Sequence, residues 1–182
     1  KVTYKPQNPI ATMEVEGYGT IKLELYPDKA PNTVANFIRL ANRGFYNGLT
    51  FHRTMPNFVI QGGDKAGNGS GSPSLSDIME NVAEDKEYNI PGEFIANGYT
   101  SNNLKHEKGV ISMARSDYSQ YSSSLTTQGY NSAGSQFFIM TTDDNVAITG
   151  LYAGFGKVRE GFDILEKVAN TKVKKANENS TE

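Results

Sequence analysis

The sequence predicts a mainly β fold, a closed or nearly closed antiparallel β-barrel capped by two α-helices. Three observations carry that prediction. Apolar and polar residues alternate between residues 13 and 25, and short apolar runs punctuated by Gly-containing turns recur from residue 50 to residue 158. Only two principal stretches have the spacing of an amphipathic helix. A parallel α/β fold would instead place a helix between most consecutive strands.

A polar, Pro-containing lead is expected over residues 1–9, the barrel domain over 10–171, and a polar tail over 172–182. Met13 and Val15 alternate with Glu14 and Glu16, and Ile21, Leu23 and Leu25 alternate with Lys22 and Glu24. This is a hairpin with one wet face and one face on the core, joined through Gly17-Tyr18-Gly19. Pro31 suits a first helical position, Val34, Phe37, Ile38 and Ala41 share a stripe, and Gly44 is a stop. Strands are expected at Thr50–Met55, Phe58–Gln61, Val110–Ala114, Gln136–Thr141 and Tyr152–Val158, with turns at Asn47-Gly48, Asn68-Gly69 and Asn97-Gly98. Phe162, Leu165, Val168 and Ala169 mark the second helix. Two segments stand out from this plan. At 74–87 a Ser74–Asp77 capping-box pattern precedes Ile78, Met79 and Val82 on one stripe with Leu75, which predicts a short surface helix. At 117–130 the chain is a polar loop too long for a tight turn.

Composition narrows the chemistry. With 182 residues, the chain is one ordinary domain. The balance of 18 Lys+Arg against 20 Asp+Glu gives no broad pull toward nucleic acid or anionic membranes. Zero Cys excludes disulfides, thiolate metal sites and a cysteine nucleophile. No apolar run approaches a bilayer span. The first residue is Lys, which leaves room for a leader or anchor ahead of it, so the compartment stays open with the cytoplasm favoured.

The densest chemistry lies in Phe51–Asp64, Gly109–Ala114 and Asn131–Ile139. An apolar cavity beside an always-charged donor can favour a twisted prolyl amide, whose nitrogen regains a lone pair as conjugation is lost. Arg53 is such a donor. Along the expected strand Arg53 shares a face with Phe51 and opposes His52. Phe58, Val59 and Phe138 are candidates for the cavity wall, and Gln61 and Gln136 for holding a substrate backbone. His52 reads as a structural, hydrogen-bonding residue, since the chain shows no Ser–His–Asp arrangement. Gly62, Gly63, Gly69 and Gly71 read as turn formers, because no Gly-Lys-Ser/Thr follows them. Glu80, Glu84, Asp85 and Glu87 read as a solvated helix face.

These segments, together with Leu25–Gly48 and Gly150–Val158, closely resemble the cyclophilin family of peptidyl-prolyl cis–trans isomerases, in order, across most of residues 11–170. The resemblance implies a barrel of about eight strands and places the catalytic arginine on Arg53. It implies proline-pocket residues Phe58, Val59, Phe138 and Ile148, and backbone-binding glutamines Gln61 and Gln136. Ala114 and Arg115 fall on a strand-edge segment that meets the residue before proline, mostly through its backbone. Tyr152 stands where many relatives have His. Ala147 stands where many members place Trp, which implies reduced affinity for cyclosporin-type macrocycles. The segments 74–87 and 117–130 look like insertions, and the tail after Asn170 lacks the apolar strand that usually closes the barrel.

The expectation is an isomerase of Xaa-Pro bonds that assists protein folding. It should act on proline-containing polypeptides as a monomer, with no cofactor, metal, nucleic acid or membrane span. Two other readings compete: a scaffold or chaperone module that docks Pro-containing segments with incidental turnover, and a barrel that binds a non-peptide ligand. Tyr118, Tyr121 and Tyr130 are expected to border the groove, because their loop joins two strands that line it.

Overall fold

The computed structural model describes residues 7–144 and 146–172. Most of the expected lead and nearly all of the expected tail lie outside these residues. Seven strands are present among them: β1 (Ile10–Val15), β2 (Gly19–Leu25), β3 (Arg53–Met55), β4 (Val59–Gly62), β5 (Val110–Met113), β6 (Phe137–Met140) and β7 (Gly154–Glu160). They form one sheet in the order β1-β2-β7-β5-β6-β4-β3, with every neighbouring pair antiparallel. The mainly β, helix-capped architecture is the expected one. Among the described residues, however, the two end strands β1 and β3 are not paired with each other. Among the described residues the curled sheet is open there, onto a cavity of about 820 Å³ lined by Met13, Val15, Phe37, Phe51, Phe137 and Val168.

Ile21, Leu23 and Leu25 are fully buried while Lys22 lies outside, as the alternation predicts. Two helices cover the same side: α1 (Pro31–Asn42) and α3 (Phe162–Ala169). Pro31 is at the start of α1, and Thr33, Val34, Phe37 and Leu40 form its buried stripe; Ala41 is exposed, so the stripe lies slightly N-terminal of the expected one. In α3 the buried set is Ile164, Leu165, Val168 and Ala169, with Ile164 taking the place expected of Phe162. Val34 and Phe37 of α1 and the buried set of α3 join Ile60, Ile111, Phe137, Ile139 and Phe155 in one core. Each fully buried Phe, Leu or Ile contributes on the order of 2 kcal/mol by leaving water.

Ala30, ahead of α1, offers no side-chain oxygen to the free N–H groups of the first turn. Glu93 does so from 60 residues away: its buried carboxylate accepts from the Thr33 N–H and hydroxyl, both at 2.7 Å, and from the Asn32 N–H at 3.3 Å.

The insertions differ from expectation. Residues 74–87 make only one 3₁₀ turn, Leu75–Asp77, although the capping box at Ser74 and Asp77 forms. The chain then folds back so that Ser74 bridges Glu87, and Asp85 accepts from Ser74 and Ser76. Met79 on the expected stripe is 44% exposed and Leu75, Ile78 and Val82 are only half-buried, so the stripe lacks the full cover that a longer helix needs. The acidic cluster is therefore a fold-back loop. The loop 117–130 contains two 3₁₀ turns, Tyr118–Gln120 and Ser123–Leu125, followed by the short helix α2 (Thr126–Tyr130).

Candidate active site

The strand registers set a row of side chains across the sheet. Arg53 lies opposite Gln61, Gln61 opposite Phe138, and Phe138 opposite Ser112, so residues from β3, β4, β6 and β5 share one face. Their sequence neighbours point the other way. Ile60, Phe137 and Ile111 belong to the core, where Phe137 meets Phe37, Tyr46 and Phe51 edge-on. Strand alternation thus divides Phe137 from Phe138 as expected. β3 begins only at Arg53, however, because its three pairings with β4 end there, and Phe51 packs inward rather than sharing a face with Arg53.

The outer face carries a second apolar cluster. Val59, Val110, Phe138, Met140 and Ile148 are buried, and Phe58, Leu104, Ala114 and Tyr152 pack against them half-buried. Every apolar residue expected at the pocket is therefore in one place. The rim is polar. Arg53 donates from a terminal guanidinium nitrogen to Gln61 Oε1 at 3.4 Å, and Gln61 Nε2 donates to Gln136 Oε1 at 3.1 Å. Gln136 Nε2 in turn donates to the carbonyls of Gly69 and Gly71, at 3.1 and 2.9 Å. Ala114 joins the rim through its N–H, which donates to the Gln136 carbonyl at 3.0 Å. Arg53 itself is exposed, which leaves its other N–H groups open to a ligand in the slot.

The Gly69–Gly71 carbonyls are held in place by Asp64. Its buried carboxylate accepts from the N–H groups of Ala66, Asn68 and Gly69 at 2.8, 3.0 and 2.6 Å. Burial alone pushes this carboxyl up, but the backbone donors of Ala66, Gly69, Asn68 and Gly71 together outweigh it and hold it below the usual carboxylate range. The turn needs its glycines. Gly63 has φ 81°, and a Cβ at Gly71 would lie 1.9 Å from Asp64 Oδ1.

Behind the slot lies His106, a residue that no spacing pattern singled out. Its ring is 1% exposed, stacks on Phe138 at 6.2 Å and 23°, and sits 2.9 Å from the Ser112 hydroxyl through Nε2. Burial pushes its pKa down to about 4, so at neutral pH it is an uncharged support for the Phe138 ring. His52 is half-buried, and its buried Nδ1 finds no hydrogen-bond partner among the described residues, so the expected bond is not made there. Burial lowers its pKa, Asp64 acts upward and Arg53 downward.

The Arg115 side chain packs against aromatic rings, Tyr152 among them, which leaves its backbone for the contact expected of it. One expectation about the neighbouring loop changes. Tyr130 faces inward onto Phe94, at 5.1 Å and edge-on, while Tyr121 is 77% exposed, so the three loop tyrosines do not form one border.

The chain matches the family model described as cyclophilin type peptidyl-prolyl cis-trans isomerase/CLD over residues 10–182. It is 38% identical over 161 residues to the peptidyl-prolyl cis-trans isomerase B of Bacillus subtilis, covering 88% of this chain and 91% of that protein. It is 37% identical over 162 residues to a peptidyl-prolyl cis-trans isomerase of Synechococcus elongatus, covering 88% of each. Among solved structures, a Cryptosporidium parvum cyclophilin type peptidyl-prolyl cis-trans isomerase, crystallised in the presence of the dipeptide Ala-Pro, superposes with a TM-score of 0.67 at 29% identity, over 87% of this chain and 84% of that one. An apolar slot beside a guanidinium on the outer face of a curled antiparallel sheet, and relatives that share nearly the whole chain, lead to one assignment: the chain belongs to the cyclophilin-type peptidyl-prolyl cis-trans isomerases.

Proposed function

We propose that the rotation is catalysed on the outer face of β3–β6, with the proline ring seated on Phe138 between Phe58, Val59 and Ile148. Arg53 donates an N–H to the imide nitrogen as it leaves conjugation. The flat amide offers that nitrogen no lone pair, so the bond strengthens only in the twisted state, as catalysis requires. Gln61 and Gln136 hold the flanking backbone, and Ala114 meets the residue before proline. The barrier is about 18–20 kcal/mol. A charge-assisted hydrogen bond of ~1.5–3 kcal/mol supplies roughly one to two decades of rate. The remainder comes from binding the rotated ring in a dry slot.

The row that runs from Arg53 through Gln61 to Phe138 is the observation that carries this reading. Arg53 is exposed and contributes nothing to the core, so Arg53→Ala is expected to fold normally and to lower kcat/KM for a proline peptide at least tenfold. Exchange spectroscopy of an Ala-Ala-Pro-Phe peptide reads this directly. Full turnover in the variant would overturn the assignment of Arg53, and unaltered peptide binding without any turnover in the wild type would favour the docking-module reading.

The substrates in this reading are Xaa-Pro segments of unfolded chains and flexible loops, whose refolding the protein assists. The Cryptosporidium parvum neighbour, crystallised with Ala-Pro, supports an Xaa-Pro unit as the smallest ligand. Cyclosporin-type macrocycles bind weakly, because the exposed Ala147 beside Ile148 offers a methyl group where a large ring could cover the ligand. Ala147→Trp is expected to tighten macrocycle binding about tenfold, from roughly 1–2 kcal/mol of added apolar contact. Unchanged affinity in a calorimetric titration would refute this.

A further inference from the structure

The guanidinium of Arg115 lies within 4.6 Å of the Tyr152 ring centre, 4.9 Å of Tyr130 and 5.5 Å of Phe94. Its Nε donates to the Leu151 carbonyl at 2.9 Å, and a terminal nitrogen donates to the Ser116 carbonyl at 3.1 Å. Among the described residues, no carboxylate forms an ion pair with it. A guanidinium is planar, weakly hydrated and always charged, so it can stack on several rings while its in-plane N–H groups bond carbonyls. A lysine in the same place could satisfy one of these demands but not all of them.

Two of the contacts converge on a single residue. Arg115 stacks on the Tyr152 ring and also binds the carbonyl of Leu151, immediately before it, so it fixes both the position and the tilt of that side chain. Tyr152 in turn meets Phe138 edge-on at 5.5 Å. On its far side Arg115 lies against Tyr130, the last residue of α2, and Phe94, the residue after the α1-capping Glu93. The guanidinium therefore sits where three chain segments meet, one ring removed from the floor of the proline slot.

We propose that Arg115 is a positioning residue for the proline slot, acting through Tyr152 to hold the wall against which the substrate ring is bound. This rests on the isomerase reading, and it differs from a role in which Arg115 contacts the peptide. The donor chain from Arg53 through Gln61 to Gln136 does not involve the Arg115 side chain. Loosening the wall therefore weakens binding of the proline ring in ground and transition states alike, which raises KM and spares kcat.

The test uses Arg115→Met, which keeps bulk without charge, Arg115→Lys, which keeps charge without a planar fork, and each combined with Tyr152→Ala. Kd for an Ala-Ala-Pro-Phe peptide comes from chemical-shift titration, and the turnover rate at saturation from exchange spectroscopy. Both single variants are expected to raise Kd about three- to tenfold with turnover at saturation within twofold of wild type. In the Tyr152→Ala background neither should raise Kd further. A Kd unchanged in Arg115→Met, full rescue by Arg115→Lys, or additive losses with Tyr152→Ala would each overturn the proposal. So would a loss confined to peptides with Glu before proline, since the guanidinium would then be reading substrate charge. Absence of turnover in the wild-type protein would instead sink the isomerase reading itself, and is scored separately.

Discussion

Gln136→Glu changes one atom's identity and leaves the side chain's shape intact, which makes it a sharp probe of how the rim is held. In the wild type, Gln136 Nε2 lies 3.1 Å from the Gly69 carbonyl and 2.9 Å from that of Gly71, donating to both, while Oε1 accepts from Gln61. The substitution keeps the acceptor and replaces the donor with an anionic oxygen facing two carbonyl oxygens. Two donated bonds are lost, at about 0.5–1.5 kcal/mol each, and electrostatic repulsion is added. The Gly69–Gly71 turn must withdraw or the side chain must swing away, and in either case Gln61 and Arg53 lose their anchor. A loss of ~1.4–2.8 kcal/mol in transition-state binding corresponds to a ten- to hundredfold drop in kcat/KM. Exchange spectroscopy on a proline peptide at pH 7 measures it. The ratio of variant to wild type should also recover as the pH falls, because the protonated acid can again donate to one carbonyl. A pH 7 value within twofold of wild type, or a ratio flat from pH 8 to about 4.5, would refute the reasoning.

Two further outcomes follow from buried polar groups. His106 has its pKa lowered to about 4 by burial, so between about 6.5 and 4 the unfolded chain binds a proton that the folded chain does not, and stability falls as the pH drops through that window. From pH 6.5 to 5 the loss attributable to His106 is about 2 kcal/mol. His52 is lowered in the same direction, so the check is a shallower denaturant-derived slope in His106→Asn than in wild type, and identical slopes would contradict it. Glu93→Ala leaves the fully buried Thr33 N–H and hydroxyl without an acceptor, for about 2–4 kcal/mol and a Tm lowered by roughly 10 °C in a chain of this size. Thermal unfolding followed by circular dichroism measures it, and a shift below about 2 °C would rule out the remote cap.

Patterns set by near neighbours were legible in the sequence. Pro31 and the Val34–Phe37 spacing located α1, and the alternation through Phe137 and Phe138 divided core from slot. The residues that carry the resemblance, Arg53, Gln61, Gln136 and Phe138, are brought to one face. What was not legible depends on distant partners. Nothing near α1 announces that Glu93 caps it, and Phe94, Tyr130 and Tyr152 come to Arg115 from separate segments. The stripe at 75–82 promised a helix, but amphipathicity stabilises one only when a complementary surface receives it, and here Leu75, Ile78 and Val82 are only half-buried and Met79 is exposed. β3 proved short at its N-terminal end, where pairing stops at Arg53 with Gln61 and the chain opposite turns at Gly63, with φ 81°.

Consecutive residues such as Phe137 and Phe138 serve opposite sides of a wall one residue thick. Substitutions at Val59 or Ile148 remodel the outer pocket without entering the packing among Phe37, Ile111 and Phe155. Selectivity can therefore drift in evolution, or be engineered, on the outside while the interior that keeps the domain folded stays constant. Changes made on the two sides should combine almost independently where they share no neighbours.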